Sequence, residues 1–221
     1  MQRWSVVVPA KRLVAAKTRL TPLTATLGDA PPAGHRDLVL ALLADTVAAA
    51  LASPAVGGVL VVTDEPQAAA LVTGLGARTV RDEPDAGLNA ALAHGARRAR
   101  AAAAGGPVAA LSSDLPALRP AELTEALQAA GAVPRAFVAD ELGSGTTLLA
   151  ARDGELDPRF GRGSAAAHAA GGAVPLTGDW PGLRQDVDTP ADLQAACWIG
   201  AGPRTTAFLR SAAESISWTP P

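Results

Sequence analysis

Lysine is almost absent from this 221-residue chain: of its 19 basic residues only Lys11 and Lys17 are lysine, and the rest are arginine. Cysteine occurs once, at Cys197, which excludes an internal disulfide and a multi-cysteine zinc site. Its neighbours, AACWIG, predict a small core residue at a buried helix end. No run reaches the roughly 18 apolar residues that a membrane span needs. The first residues lack the charged start, apolar stretch and cleavage site of a secretory leader, so the expected compartment is the cytoplasm. A net charge of −2 lacks the basic excess of a nucleic-acid or anionic-membrane partner. Glycine is missing from the chain until Gly28, so no Gly-x-Gly-x-x-Gly dinucleotide loop follows the first apolar run. A Walker A loop needs glycine directly before lysine, yet Ala10 and Ala16 precede the two lysines.

What is present reads as one sizeable core: 48% of the residues are hydrophobic and 18% charged. Short β-branched runs alternate with longer alanine- and leucine-rich stretches. Strands are expected at 5–8, 59–62, 78–81, 107–111, 135–140 and 146–151, with a short one at VPL. Helices are expected over 36–52, where Val39, Leu43, Val47 and Leu51 form one stripe, and over 66–73. Others start after Gly87, near Pro120, after FGRGS and at TPADLQAACWI, with Thr189 as N-cap and Pro190 at the first helical position. This alternation predicts an α/β fold, a single domain built on a mostly parallel, doubly wound sheet. Residues 1–200 make that domain. The rhythm is lost from about 203, so 201–221 are expected to form a C-terminal tail.

Ligands of such sheets bind beyond the carboxyl ends of the strands. Leaving the first strand, the chain carries Lys11, Arg12, Lys17 and Arg19 in one loop. Several compact cations suit a polyphosphate, although a solvated basic loop has the same composition. Asp114 follows the fourth strand, and Asp186 and Asp188 stand two apart in LRQDVDTP, on one side if the segment is extended. Three hard carboxylates suit magnesium with substrate phosphates completing its shell; the plainer reading of Asp188 is the start of a helix cap. FGRGS, residues 160–164, opens the AAAHAA helix and exposes backbone N–H groups to an anion, or simply initiates that helix. Two anion sites with a metal between them point to phosphoryl or nucleotidyl transfer.

VPAKRLVAAKTRL, GLNAAL, SSDLPALRPAEL, ADELGSGTTLLAA, FGRGSAAAHAAGG and QDVDTPADL, in this order over residues 4 to about 198, closely resemble the 2-phospho-L-lactate or phosphoenolpyruvate guanylyltransferase family of coenzyme F420 biosynthesis. The resemblance implies a nucleotidyltransferase fold related to the molybdenum-cofactor guanylyltransferases and the glycosyltransferase A group. It implies transfer of GMP from GTP to a three-carbon phosphoacid with loss of pyrophosphate, Mg2+ as cofactor, and a downstream deazaflavin transferase as the taker of the product. Carried over by position, Asp114, Asp186 and Asp188 are metal ligands. Thr146, Gly161 and Ser164 contact the phosphoacid, and Lys11, Lys17 and Arg19 hold the triphosphate, with Lys17 and Arg19 offsetting the charge of reaction. Leu88 and Asn89, with the Thr63-Asp64 turn, lie near guanine and ribose. Thr18 and Ser113 depart from the serine and glycine often found at those positions.

The resemblance implies phosphoenolpyruvate, 2-phospholactate or 3-phosphoglycerate as the phosphoacid; a composition of the GC-rich kind fits an actinobacterial or similar bacterial source, where the first is the commoner substrate in the resembled family. The nucleophile is already an anion, so no general base is needed, and His94 and His168 read as helix-surface or core residues, His35 as one at a helix start. Two other readings stay open: another nucleotidyltransferase of the same fold, and a non-catalytic nucleotide-binding protein.

Overall fold

The computed structural model describes residues 2–10, 20, 31–83 and 85–216, with the backbone alone at 31–33 and 213–216. Lys11, Arg12, Lys17, Thr18 and Arg19 lie outside the described residues. Strand β1 (Trp4–Pro9) is followed by helix α1 (Pro31–Ala52), β2 (Val56–Val62), α2 (Pro66–Gly74), β3 (Arg78–Val80), α3 (Leu88–Ala102), β4 (Val108–Leu111) and α4 (Pro120–Ala130). Then come β5 (Arg135–Ala139), β6 (Thr146–Ala151), α5 (Ser164–Ala170), β7 (Val174–Pro175), α6 (Pro181–Arg184), α7 (Pro190–Ile199) and α8 (Pro203–Ile216).

The strands form one seven-stranded sheet in the order β3-β2-β1-β4-β6-β5-β7. All neighbours are parallel except β6, which runs antiparallel to both β4 and β5. The exception is local in origin. Asp140 accepts from the N–H groups of Ser144 (2.9 Å) and Gly145 (2.8 Å), and Gly143 takes a positive φ of 73°, so β5 turns straight back into β6. The central strands are continuous apolar runs because both their faces are covered. In β1, Val6 and Val8 join the core beneath α1, α2 and α4, whereas Val7 faces the core beneath α3 and α5. Helix α3 comes close to the sheet at Gly95, where an added Cβ would lie 2.6 Å from both Val7 Cγ1 and Val62 Cγ2. None of the described helices is long and apolar enough to cross a membrane.

Two sequence expectations need correction. Residues 203–216, expected in a tail, form α8, whose Phe208 and Leu209 pack against a small cluster containing Leu38, Leu42, Val187 and Leu193. The buried Asp45 carboxylate of α1 accepts from Arg204 N (3.1 Å) and Thr205 N (2.8 Å) and so anchors the start of that helix. A reading by strand–helix alternation has no strand there to signal it. Cys197 is exposed, beside a Trp198 that is 80% exposed, because α7 buries only Leu193 and Ala196.

Candidate active site

The strand order reverses between β1 and β4, and in an open α/β sheet the crevice above such a reversal is where ligands bind. A cavity of about 230 Å³ lies there, with Pro9 from β1, Ser112, Ser113 and Asp114 from the end of β4, and Leu88, Leu92 and Phe160 around it. Leu88, 39% exposed, presents an apolar side chain at its edge.

Asp114 is only 7% exposed, and it is held from two sides. The N–H of Leu115 donates to Thr46 Oγ1 (2.9 Å), and Thr46 in turn donates to the Leu42 carbonyl one turn back in α1 (2.8 Å). The Asp114 carbonyl accepts from Val187 N (3.1 Å), which draws the Asp186–Asp188 segment against the end of β4. Val187 is fully buried, so Asp186 and Asp188 flank a side chain anchored in the core. The cap of α7 is built by Thr189 and Asp192, each bonded to the other's backbone N–H, and not by the Asp188 carboxylate. The backbone thus brings all three aspartates onto neighbouring segments. Among the described residues, no three acidic, histidine or cysteine side chains are already gathered as a metal site.

The segment before these aspartates is fastened by α4. Glu122 accepts from Leu183 N (2.9 Å), and Glu125 accepts from Trp180 Nε1 (3.0 Å). Burial raises the Glu122 pKa, and the main-chain N–H groups of Gly182 and Leu183 pull it back only partly.

The other wall is made by the 159–164 loop. Asn89, expected near the nucleotide, is occupied as a clamp: its Nδ2 donates to the Phe160 carbonyl (3.0 Å) and its Oδ1 accepts from Phe160 N (2.7 Å). Thr146, at the start of β6, and Ser164, at the end of this loop, are both buried, and Ala165 N donates to the Ser144 carbonyl (3.2 Å). Ser164 N donates to Gly161 O (3.1 Å), so part of the expected anion cradle is used internally. Among the described residues, the N–H groups of Gly161, Arg162 and Gly163 meet no acceptor. Gly161 takes a φ of 129° and Gly163 one of 72°, conformations in which a side chain would be strained.

His168 links the parts of this wall. It is 2% exposed, between Phe137 and Phe160, with Nδ1 2.9 Å from Thr146 Oγ1 and Nε2 accepting from Arg159 N (2.9 Å). Burial lowers its pKa from 6.5 to about 4, the nearby Asp157 opposing and the arginines 159 and 135 assisting. A neutral core histidine agrees with the sequence reading, but its partners were not legible there. Thr46 was missed too; its only signal is a hydroxyl inside an apolar helix stripe. The Thr63-Asp64 turn is not part of the cavity wall: Thr63 bonds Val80 O and Glu65 N, and Asp64 pairs with Arg81 at the far side of β2. His35 lies in the second turn of α1 rather than at its start, and His94 is buried in α3.

A mostly parallel sheet with one reversed strand and its crevice at the β1/β4 switch is an α/β fold that solved nucleotide-handling transferases share. A putative nucleotide-diphospho-sugar transferase from Desulfovibrio desulfuricans matches with a TM-score of 0.70 at 18% identity, covering 98% of this chain and 97% of that one. A nucleotidyl transferase from Methanothermobacter matches at 0.63 and 24%, covering 95% and 99%. The sequence model of the CofC-like guanylyl transferases matches residues 4–219, and the chain belongs to that enzyme family. The phosphoenolpyruvate guanylyltransferase of Geodermatophilus obscurus is 67% identical over 213 residues, covering 96% of this chain and 97% of its own. That of Salinispora arenicola is 55% identical over 216 residues, covering 96% of each.

Proposed function

We propose that this enzyme transfers GMP from GTP to phosphoenolpyruvate and releases pyrophosphate, in the cytoplasm, with 2-phospho-L-lactate and 3-phosphoglycerate as lesser candidates. The observation that carries the reading is the near full-length similarity to enzymes of that name. The diphosphate product would pass to a deazaflavin transferase of coenzyme F420 biosynthesis.

A phosphate oxygen of the phosphoacid attacks the α-phosphorus of GTP in line. One P–O bond forms, the α–β bridging P–O bond breaks, and its electron pair leaves with pyrophosphate. With a second phosphate ionisation near ~6, the nucleophile is an anion at neutral pH and there is no proton to remove. The neutral, buried His168 is accordingly not asked to act as a base. The obstacle is the meeting of two polyanions. Lys11, Lys17 and Arg19 hold the triphosphate in this reading, and Lys17 and Arg19 offset the charge that develops. Thr146 and Ser164 offer hydroxyls, and Gly161 its N–H, to the phosphoacid. Leu88 borders the nucleotide, while Asn89 acts on it only through the Phe160 loop. The donor set fits Mg2+, since Asp114 and the Asp186–Asp188 segment supply hard oxygens from backbone-linked segments. Bound there, Mg2+ would neutralise phosphate charge.

Pyrophosphate release is the test, with Mg2+, GTP and each phosphoacid in turn, alone and coupled to a deazaflavin acceptor with its transferase. Turnover is expected with phosphoenolpyruvate. No turnover with any acid in either format, while GTP still binds, would replace the reading with a nucleotide-binding protein of this fold. Asp188→Ala should lower turnover by at least about a hundredfold and move the unfolding midpoint far less, because the residue is exposed and its N–H bond to the Asp192 carboxylate is kept by alanine. Near-normal turnover in that variant removes the metal assignment.

A further inference from the structure

We infer that His168 is a positioning residue for the phosphoacid, locked in one tautomer so that the Thr146 hydroxyl is left to donate its proton to a substrate oxygen. The inference rests on the guanylyltransferase reading for the identity of that oxygen. The lock itself follows from hydrogen-bond chemistry alone.

A main-chain N–H can only donate, so the Nε2 atom that meets Arg159 N at 2.9 Å must present its lone pair. A neutral imidazole with a bare Nε2 carries its proton on Nδ1. Nδ1 lies 2.9 Å from Thr146 Oγ1, so Nδ1–H donates and the hydroxyl oxygen accepts. The hydroxyl proton is therefore turned away from His168. Among the described residues no acceptor receives it, and Thr146 is only 6% exposed, so bulk water is a poor substitute. A buried donor in this state favours a ligand that brings an acceptor, and an anionic oxygen is the strongest available.

The surroundings keep the imidazole from doing otherwise. Phe160 meets it edge-on at 5.1 Å and 74°, and Phe137 lies 5.9 Å away. Protonation would put a hydrogen on Nε2 facing the Arg159 N–H, and burial opposes it, with the pKa lowered to about 4. Arg159 directly precedes Phe160, which Asn89 clamps, so one ring orients Thr146 and also fixes the loop bearing Gly161.

Two substitutions separate the two links. His168→Gln can keep an oxygen acceptor for Arg159 N while losing the Nδ1–H; His168→Asn can keep an amide donor to Thr146 while losing the Arg159 link. Thr146→Val and His168→Gln should each raise the KM for phosphoenolpyruvate about tenfold and leave that for GTP within about twofold, as loss of one charge-assisted hydrogen bond implies. His168→Asn should raise it less, and Thr146→Val combined with His168→Gln should be no worse than Thr146→Val alone. Equal rises in both KM values with His168→Gln, or additive effects in the double variant, overturn the inference. The tautomer is read independently of turnover from long-range 1H–15N NMR of the histidine ring. A proton on Nε2 overturns the lock whatever the activity. An Nδ1 proton in a chain that turns over no phosphoacid overturns the reaction and leaves the lock standing.

Discussion

At the scale of single residues, burial decides how two titratable groups behave. His168 has a folded pKa of about 4 against an ordinary 6.5, so between these values the unfolded chain binds the extra proton. Its contribution to stability is complete above pH 6.5 and is lost as pH falls toward 4, on the order of 2 kcal/mol. Urea unfolding at pH 7.5 and pH 5 should show this loss in the wild-type chain and a smaller one in His168→Gln; equal losses would mean that His168 is not held neutral. Glu122 is shifted the other way, upward by burial, so its stabilising influence belongs to the protonated form and declines as pH rises through its folded pKa. These residues were visible in the sequence, but their roles were not. A histidine among alanines looks the same whether it faces water or closes a loop, because the Arg159 and Thr146 partners are set by the return of the chain.

At the scale of elements, most of the order was legible. The alternation of valine-rich runs with alanine–leucine stretches marked every strand of the sheet, since strands covered on both faces must be apolar throughout. The reach of α1 back to Pro31 and the existence of α8 were not marked. Gly95 shows how packing overrules propensity. Alanine in a helix interior is favoured over glycine by roughly 1 kcal/mol. At this position its Cβ would press on Val7 and Val62, β-branched side chains of central strands that have little room to move. Overpacking of this kind costs about 1–3 kcal/mol, so Gly95→Ala should destabilise. A chemical-denaturation midpoint equal to or above that of the parent chain would contradict the close contact.

At the scale of the whole molecule, α8 and the 186–188 segment meet in one small core, and both depend on α1. Asp45→Ala leaves the Arg204 and Thr205 N–H groups without their acceptor and should cost about 2–3 kcal/mol, since a buried carboxylate accepting two hydrogen bonds is removed. Unchanged stability on thermal melting would mean that α8 is not anchored there. Among the described residues α8 contributes none to the lining of the β1/β4 cavity, so turnover well below the melting range should fall less than in Asp188→Ala.

The sequence by itself determined the α/β class, the succession of strands and of most helices, and the family to which the chain belongs, because periodicity and ordered motifs are local properties of the chain. Only the tertiary structure decided that β6 runs backwards, that the Asp186–Asp188 segment lies against Asp114, and that Asn89 clamps a loop. It alone decided that residues 203–216 form a docked helix. Each of these depends on groups far apart in the sequence meeting hydrogen-bond partners and apolar surfaces that no local pattern encodes.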